Sequence, residues 1–149
     1  MKAVIQRVDA ASVSINDAIY SQIGKGYLIL LGITHKDSEK DIKFIVSKIV
    51  NLRIFSNSEG KFDLSIKDVD GEILIVSQFT LYADTKKGRR PDFTKAAKPD
   101  LAKKLYELFI EEIKNNGINA KTGVFGAEMK VRLVNNGPVT IILDSEEYI

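Results

Sequence analysis

Gly26-Tyr27-Leu28-Ile29-Leu30-Leu31-Gly32, with Gly24 just upstream, is the stretch that decides the fold. A strand with one wet face alternates apolar and polar residues, whereas this run is apolar throughout. It therefore reads as a central strand buried on both faces. Upstream, Val4, Val8 and the alternation Ser12-Val13-Ser14-Ile15 predict half-buried β structure, with Asn16-Asp17 as a turn. Downstream, Ser38 is placed to cap a helix, with Glu39 in its first turn and Asp41 three residues past the cap. Ile42, Ile45, Val46 and Ile49 then form one apolar stripe, read as core rather than as a partner surface.

Further along, Ser56-Asn57-Ser58-Glu59-Gly60 and Asp70-Gly71 read as turns, and Glu72-Ile73-Leu74-Ile75-Val76 as a second buried strand. That strand runs into Ser77-Gln78-Phe79-Thr80-Leu81, and a polar loop follows from Asp84 to Pro91. A second helix starts near Pro99, carries Leu101, Leu105, Leu108, Phe109 and Ile113 on one face, and ends at Asn115-Asn116-Gly117. Lys121–Val124, Lys130–Val134 and Val139–Leu143 close the chain as strands. With no repeat and no break in composition, residues 1–149 are expected to form a single α+β domain with a largely antiparallel sheet and two main helices.

Composition removes many chemistries. The chain has no cysteine, which excludes a disulfide framework, a thiolate metal cage and a cysteine nucleophile. The one histidine, His35, lies between the central strand and the first helix, so no histidine-rich zinc site can form. A Ser-His-Asp triad would have to use His35, and no Gly-x-Ser-x-Gly elbow accompanies it. Gly24-Lys25-Gly26 lacks the third glycine of a dinucleotide fingerprint. Neither a metal nor a cofactor is expected. The Met1–Arg7 start does not read as a secretory signal, and no segment nears the ~18 apolar residues of a membrane span, so a cytoplasmic, membrane-free protein is the default. The net charge of +2 does not announce nucleic-acid binding, but Lys86-Lys87-Gly88-Arg89-Arg90 concentrates positive charge in one loop.

What remains is chemistry by main-chain groups, hydroxyls and the substrate, and two segments qualify. Ser77-Gln78-Phe79-Thr80-Leu81 puts polar residues at the carboxyl end of an apolar strand, where ligands often sit, although it also reads as a plain strand end. Asn135-Asn136-Gly137-Pro138-Val139-Thr140 reads first as a hairpin, because Asn-Gly between two strands is a strong turn signal. Pro138 fits that turn awkwardly, since it removes a ladder donor. A cis Gly137–Pro138 bond is the alternative, against a background of about 5–6% for X–Pro bonds.

Together these segments resemble the D-aminoacyl-tRNA deacylase family, in which both are signature motifs. Ala3-Val4-Ile5-Gln6-Arg7-Val8, Leu30-Leu31-Gly32, Arg53-Ile54-Phe55-Ser56, Gly88-Arg89-Arg90-Pro91 and Phe125-Gly126-Ala127-Glu128-Met129 extend the resemblance along the chain. The resemblance implies a barrel-like sheet and a homodimer with active sites at the interface. Each site would join Ser77, Gln78, Phe79 and Thr80 of one subunit to a cis Gly137–Pro138 of the other. That peptide would act as a chirality gate, its main-chain atoms crowding the place of an L side chain. Glycine has no side chain to clash, so glycyl-tRNA mischarged on tRNA(Ala) would be a substrate alongside D-aminoacyl-tRNA.

The N–H groups near Phe79 and Thr80 would stabilise the oxyanion, each donor contributing about 3–4 kcal/mol in comparable sites. The 2′-hydroxyl of the terminal adenosine would handle the proton. Thr80 is read as a positioning residue, with a nucleophilic Thr80 as the rival, because no base is visible beside it. Arg7 resembles the residue that braces the Gly-Pro loop, Ala102 matches a pocket-lining position, and Lys86, Lys87, Arg89 and Arg90 would meet tRNA phosphates. The family usually carries Asp before Gly-Pro; this chain has Asn136, one negative charge fewer. An RNA-binding module without catalysis and a dimeric interaction protein stand as alternatives.

Overall fold

The structure, a computed structural model, describes residues 1–148. Strand β1 (Lys2–Ile15) turns through Asn16 and Asp17, both at positive φ (49° and 62°), into β2 (Ala18–Ile23). Two left-handed residues match the twist of a tight hairpin, and Asn and Asp tolerate that conformation better than most. β3 is the glycine-bounded run Gly26–Gly32. Helix α1 (Glu39–Asn51) begins in a capping box: the Ser38 hydroxyl accepts from Lys40 N, and the Asp41 carboxylate accepts from Ser38 N. A short hairpin of β4 (Phe55–Ser56) and β5 (Phe62–Leu64) forms a second, two-stranded sheet. β6 (Glu72–Ser77), α2 (Pro99–Asn115), β7 (Ala120–Thr122) and β8 (Lys130–Asp144) complete the chain.

The main sheet runs β2-β1-β3-β6-β7, with β8 along the other edge of β1. β1 pairs antiparallel with β2, β3 and β8, but β3–β6 and β6–β7 are parallel. Parallel neighbours need a crossover, and α1 and α2 are the two crossovers. The sheet is therefore largely antiparallel, as the sequence suggested, with a parallel β3-β6-β7 portion that the sequence did not announce. It also curls until its ends meet. Ser21 Oγ donates to Thr122 O (2.7 Å) and Lys121 Nζ to Gln22 O (2.8 Å), so side chains stitch β2 to β7 and nearly close a barrel.

The apolar run of β3 is explained by two cores. Tyr27, Ile29 and Leu31 face the helices, together with Ile42, Ile45 and Ile49 of α1 and Leu105, Phe109 and Ile113 of α2. Leu28 faces inward to Val8, Val13, Leu74 and Val76. Met1 is fully buried, and its α-ammonium meets Asp37 Oδ1 at 2.6 Å and Ser145 Oγ at 2.7 Å. Among the described residues no helix is long and apolar enough to cross a membrane.

One sequence expectation is overturned here. Lys130–Val134 and Val139–Leu143 are not the arms of a hairpin but parts of the single strand β8. Both halves pair with β1, in registers that shift between Gln6/Val8 and Val8/Ala10. Long-range pairing on either side of Asn135–Pro138 outweighs the local Asn-Gly turn signal, and the segment becomes a bulge.

Candidate active site

The first half of the site grows from the end of β6. Gln78 N donates the last rung to Leu31 O (2.8 Å), and the chain then winds into a 3₁₀ turn over Phe79–Tyr82. The turn lies against Gly32, where a Cβ would come within 3.0 Å of Leu81 Cβ and 3.2 Å of Gln78 O, so glycine permits that close approach. A cavity of about 670 Å³ opens here. Ser77, Gln78 and Phe79 form one wall, the first turn of α2 through Pro99 and Ala102 another, and Phe125 and Met129 close the far side. Phe79 is 55% exposed, edge-on to Phe93 at 5.0 Å between ring centroids.

Among the described residues that line the cavity, Lys98 alone carries an ionisable side chain. Gln78 Nε2 donates to Thr80 Oγ1 at 2.5 Å. An amide N–H cannot take a proton, so Gln78 is no base for Thr80. Neither Phe79 N nor Thr80 N donates to any group among the described residues, as befits the first N–H groups of a helical turn. The first turn of α2, its positive end, lines the same space.

The second half is the β8 bulge. The Gly137–Pro138 bond is cis, and Gly137 sits at φ +134°. A Cβ on Gly137 would lie 2.6 Å from Val139 Cγ2 and 3.0 Å from Arg7 Nη2. Arg7, buried opposite the bulge, donates from Nε to Asn136 O (3.0 Å), from Nη2 to Asn136 Oδ1 (3.2 Å) and from Nη1 to Ile54 O (2.7 Å). Its guanidinium also lies over the Phe62 ring of β5, 5.3 Å from the centroid. Asn135 clamps the other side, accepting from Val139 N and donating to Thr140 Oγ1, each at 3.0 Å. Gly137 and Pro138 are themselves exposed.

Ser77, Gln78, Phe79 and Ala102 thus gather at one cavity, with Thr80 tied to its rim. Arg7, Gly137 and Pro138 form a separate cluster that does not line it. Lys86, Lys87, Arg89 and Arg90 stand exposed on a loop pinned at its base by paired Asp84–Asp92 backbone bonds of 2.7 and 2.9 Å, and none of them joins an ion pair among the described residues. Hydrogen bonds from Lys86 N and Lys95 Nζ hold Asp84 below the usual carboxylate range, and bonds from Thr94 do the same for Asp92. His35 is committed elsewhere, its Nε2 2.8 Å from Thr94 O. The contacts of Asn135 within the bulge and of Phe62 with Arg7 are not foreseen by the sequence reading. Only Asn135, inside the Asn-Asn-Gly-Pro segment itself, carries any local signal.

The fold and cavity define a small α+β protein with a nearly closed mixed sheet and a substrate-sized pocket at the carboxyl end of parallel strands. The sequence matches the family described as D-Tyr-tRNA(Tyr) deacylase over residues 4–144, and the chain belongs to that family. It is 56% identical to the D-aminoacyl-tRNA deacylase of Fusobacterium nucleatum subsp. nucleatum over 147 residues, 99% of this chain and 97% of that one. It is 54% identical to the D-aminoacyl-tRNA deacylase of Bacillus velezensis, covering 99% and 100% of the two chains. Among solved structures, the c-Myc DNA Unwinding Element Binding Protein superposes with a TM-score of 0.90 at 43% identity, covering 97% and 98%. A probable eukaryotic D-amino acid tRNA deacylase superposes with a TM-score of 0.81 at 19% identity, covering 95% and 97%, a likeness of fold.

Proposed function

We propose that this chain hydrolyses the ester bond of D-aminoacyl-tRNA, releasing the D-amino acid and free tRNA, and that it spares L-aminoacyl-tRNA. The observation that carries the reading is the division of the motif residues into two clusters, a cavity and an exposed, braced Gly137–Pro138 bulge. Each cluster is half a site. In a homodimer the bulge of one subunit would enter the cavity of the other, putting main-chain atoms of Gly137 and Pro138 beside the substrate α-carbon. A wall of main chain rejects every L side chain by steric cost, without reading its identity. Glycyl-tRNA mischarged on tRNA(Ala) passes the same wall and is a second substrate.

The chemistry fits a cavity that, among the described residues, is lined by one ionisable side chain. An aminoacyl ester is already activated, so water needs placement and the oxyanion needs donors. The N–H groups of Phe79 and Thr80 supply donors, at about 3–4 kcal/mol each in comparable sites. The 2′-hydroxyl of the terminal adenosine passes the proton. Thr80 positions rather than attacks, since its hydroxyl accepts from the Gln78 amide and no base bonds to it among the described residues. Lys86, Lys87, Arg89 and Arg90 meet tRNA phosphates, and the reaction takes place in the cytoplasm.

Incubation of the pure protein with D- and L-tyrosyl-tRNA, with and without a chelator, tests this. Release of the D amino acid alone, chelator or not, supports it; equal release of both isomers refutes the gate. A second reading, nucleic-acid binding without hydrolysis, is favoured by the four basic side chains that join no ion pair among the described residues. Binding of tRNA with no release of either isomer would establish it instead.

A further inference from the structure

We propose that Asp9 is a positioning residue for the Gly137–Pro138 bulge, acting through Asn136; the inference rests on the stereochemical reading above. Asp9 is the inserted residue of β1. Before it the even-numbered Val8 faces the inner core, and after it the odd-numbered Ala11 and Val13 do, so the insertion flips the pleat. Freed from the ladder, the Asp9 carboxylate reaches across to β8 and accepts from Asn136 Nδ2 at 2.6 Å. The other end of the same amide, Oδ1, accepts from Arg7 Nη2 at 3.2 Å.

This three-residue chain runs only one way. A carboxylate only accepts, a guanidinium only donates, and an amide has one end of each kind. Turning the Asn136 amide over would set oxygen against oxygen at Asp9 and nitrogen against nitrogen at Arg7. Asp9 therefore selects one orientation of the residue that immediately precedes Gly137, and Arg7 locks its main-chain carbonyl in the same grip. Asp9 joins no ion pair among the described residues, so no cation competes for its carboxylate.

A residue swap tests this, read as the D-over-L ratio of kcat/KM on D- and L-tyrosyl-tRNA with melting temperature measured alongside. Asp9→Ala lowers the ratio roughly two- to tenfold, the range of one net hydrogen bond at an exposed site. Asn136→Asp lowers it at least as far, because two groups that only accept then face each other at contact distance. Asp9→Asn combined with Asn136→Asp restores it to within about twofold, since an amide at position 9 donates to a carboxylate that still accepts from Arg7. An unchanged ratio in Asp9→Ala, or a swap no better than Asn136→Asp alone, overturns the proposal. If the wild-type protein does not discriminate D from L, the stereochemical reading falls and this inference with it. If the wild type discriminates and Gly137→Ala abolishes that while the Asp9 variants do not, only the role of Asp9 falls.

Discussion

Gly137→Ala is the sharpest single perturbation, because two effects oppose each other and the structure decides between them. Replacing glycine by alanine stiffens the unfolded chain, which would stabilise the fold by about 0.4–1 kcal/mol if the native backbone accepted it. It does not. Gly137 sits at φ +134°, where an L residue is strained by about 1–3 kcal/mol. The new Cβ would also lie 2.6 Å from Val139 Cγ2, on a buried β-branched side chain with little room to turn, and overpacking of this kind costs about 1–3 kcal/mol. If the bulge shifts to escape, it loosens the Arg7 bonds to Asn136, at roughly 1.5–3 kcal/mol for hydrogen bonds to a charged group. The bulge takes the cheaper route, so a net loss of about 1–3 kcal/mol is expected, below the 5–15 kcal/mol typical of a folded domain, and the variant folds but melts about 2–12 °C lower. Displacement of the bulge also relaxes the wall, and the D-over-L ratio of ester hydrolysis falls about tenfold or more. Calorimetry and paired kinetics on D- and L-tyrosyl-tRNA measure the two effects. A variant that melts with the wild type and keeps its ratio would refute both the packing argument and the gate.

Thr80→Ala removes the acceptor for Gln78 Nε2 but leaves main-chain donors in place, so kcat is expected to fall only about three- to tenfold; total loss together with a trapped acyl-Thr80 species in mass spectrometry would make Thr80 the nucleophile. Changing Lys86, Lys87, Arg89 and Arg90 together to Ala is expected to raise KM for tRNA and flatten its salt dependence, by up to about 0.7–0.9 in log–log slope for each phosphate no longer neutralised, as read from KM at several salt concentrations; an unchanged slope would remove the loop from the tRNA interface. Asp84 and Asp92 are both held below their ordinary carboxylate range by bonds within the loop they close. Depressed carboxylates stabilise above the unfolded value of 3.8 and lose that contribution as pH falls through the folded values, so the loop loosens as the pH falls below the ordinary carboxylate range. Amide exchange at residues 84 and 92 should stay slow at pH 5 and quicken below the ordinary carboxylate range.

Much of the fold is legible in the sequence because its signals are local. The two-faced apolar run at residues 27–31, the Ser38 cap with Asp41, and the start of α2 at Pro99 each depend on residues within a turn or so of one another. The parallel order of β3, β6 and β7 is not legible, since it follows from which edge each crossover helix delivers its strand to. At the site, Ser77, Gln78, Phe79 and Ala102 are foreseen and do share a cavity. Asp9 and Phe62 are not, because a carboxylate in β1 and a ring in β5 acquire meaning only when the fold sets them against Asn136 and Arg7.

The bulge that stands where a hairpin was expected bears most on function. A steric gate needs a wall that holds its place under the push of an L side chain, and the tip of a two-residue hairpin is secured from one side only. Asn135–Val139 is instead an interruption of a ladder that resumes beyond it, with Val8↔Asn135 pairing before the excursion and Gln6↔Thr140 after it. Rungs on both flanks fix where the bulge leaves and re-enters the sheet, and Arg7 and Asn135 bind it from within. The same Asn-Gly-Pro residues at the end of a free hairpin would present similar atoms with far more freedom to yield. The long pairing of β1 with β8 therefore does what no residue of the motif does alone: it holds an exposed main-chain projection from both flanks, which is the stiffness the proposed gate requires.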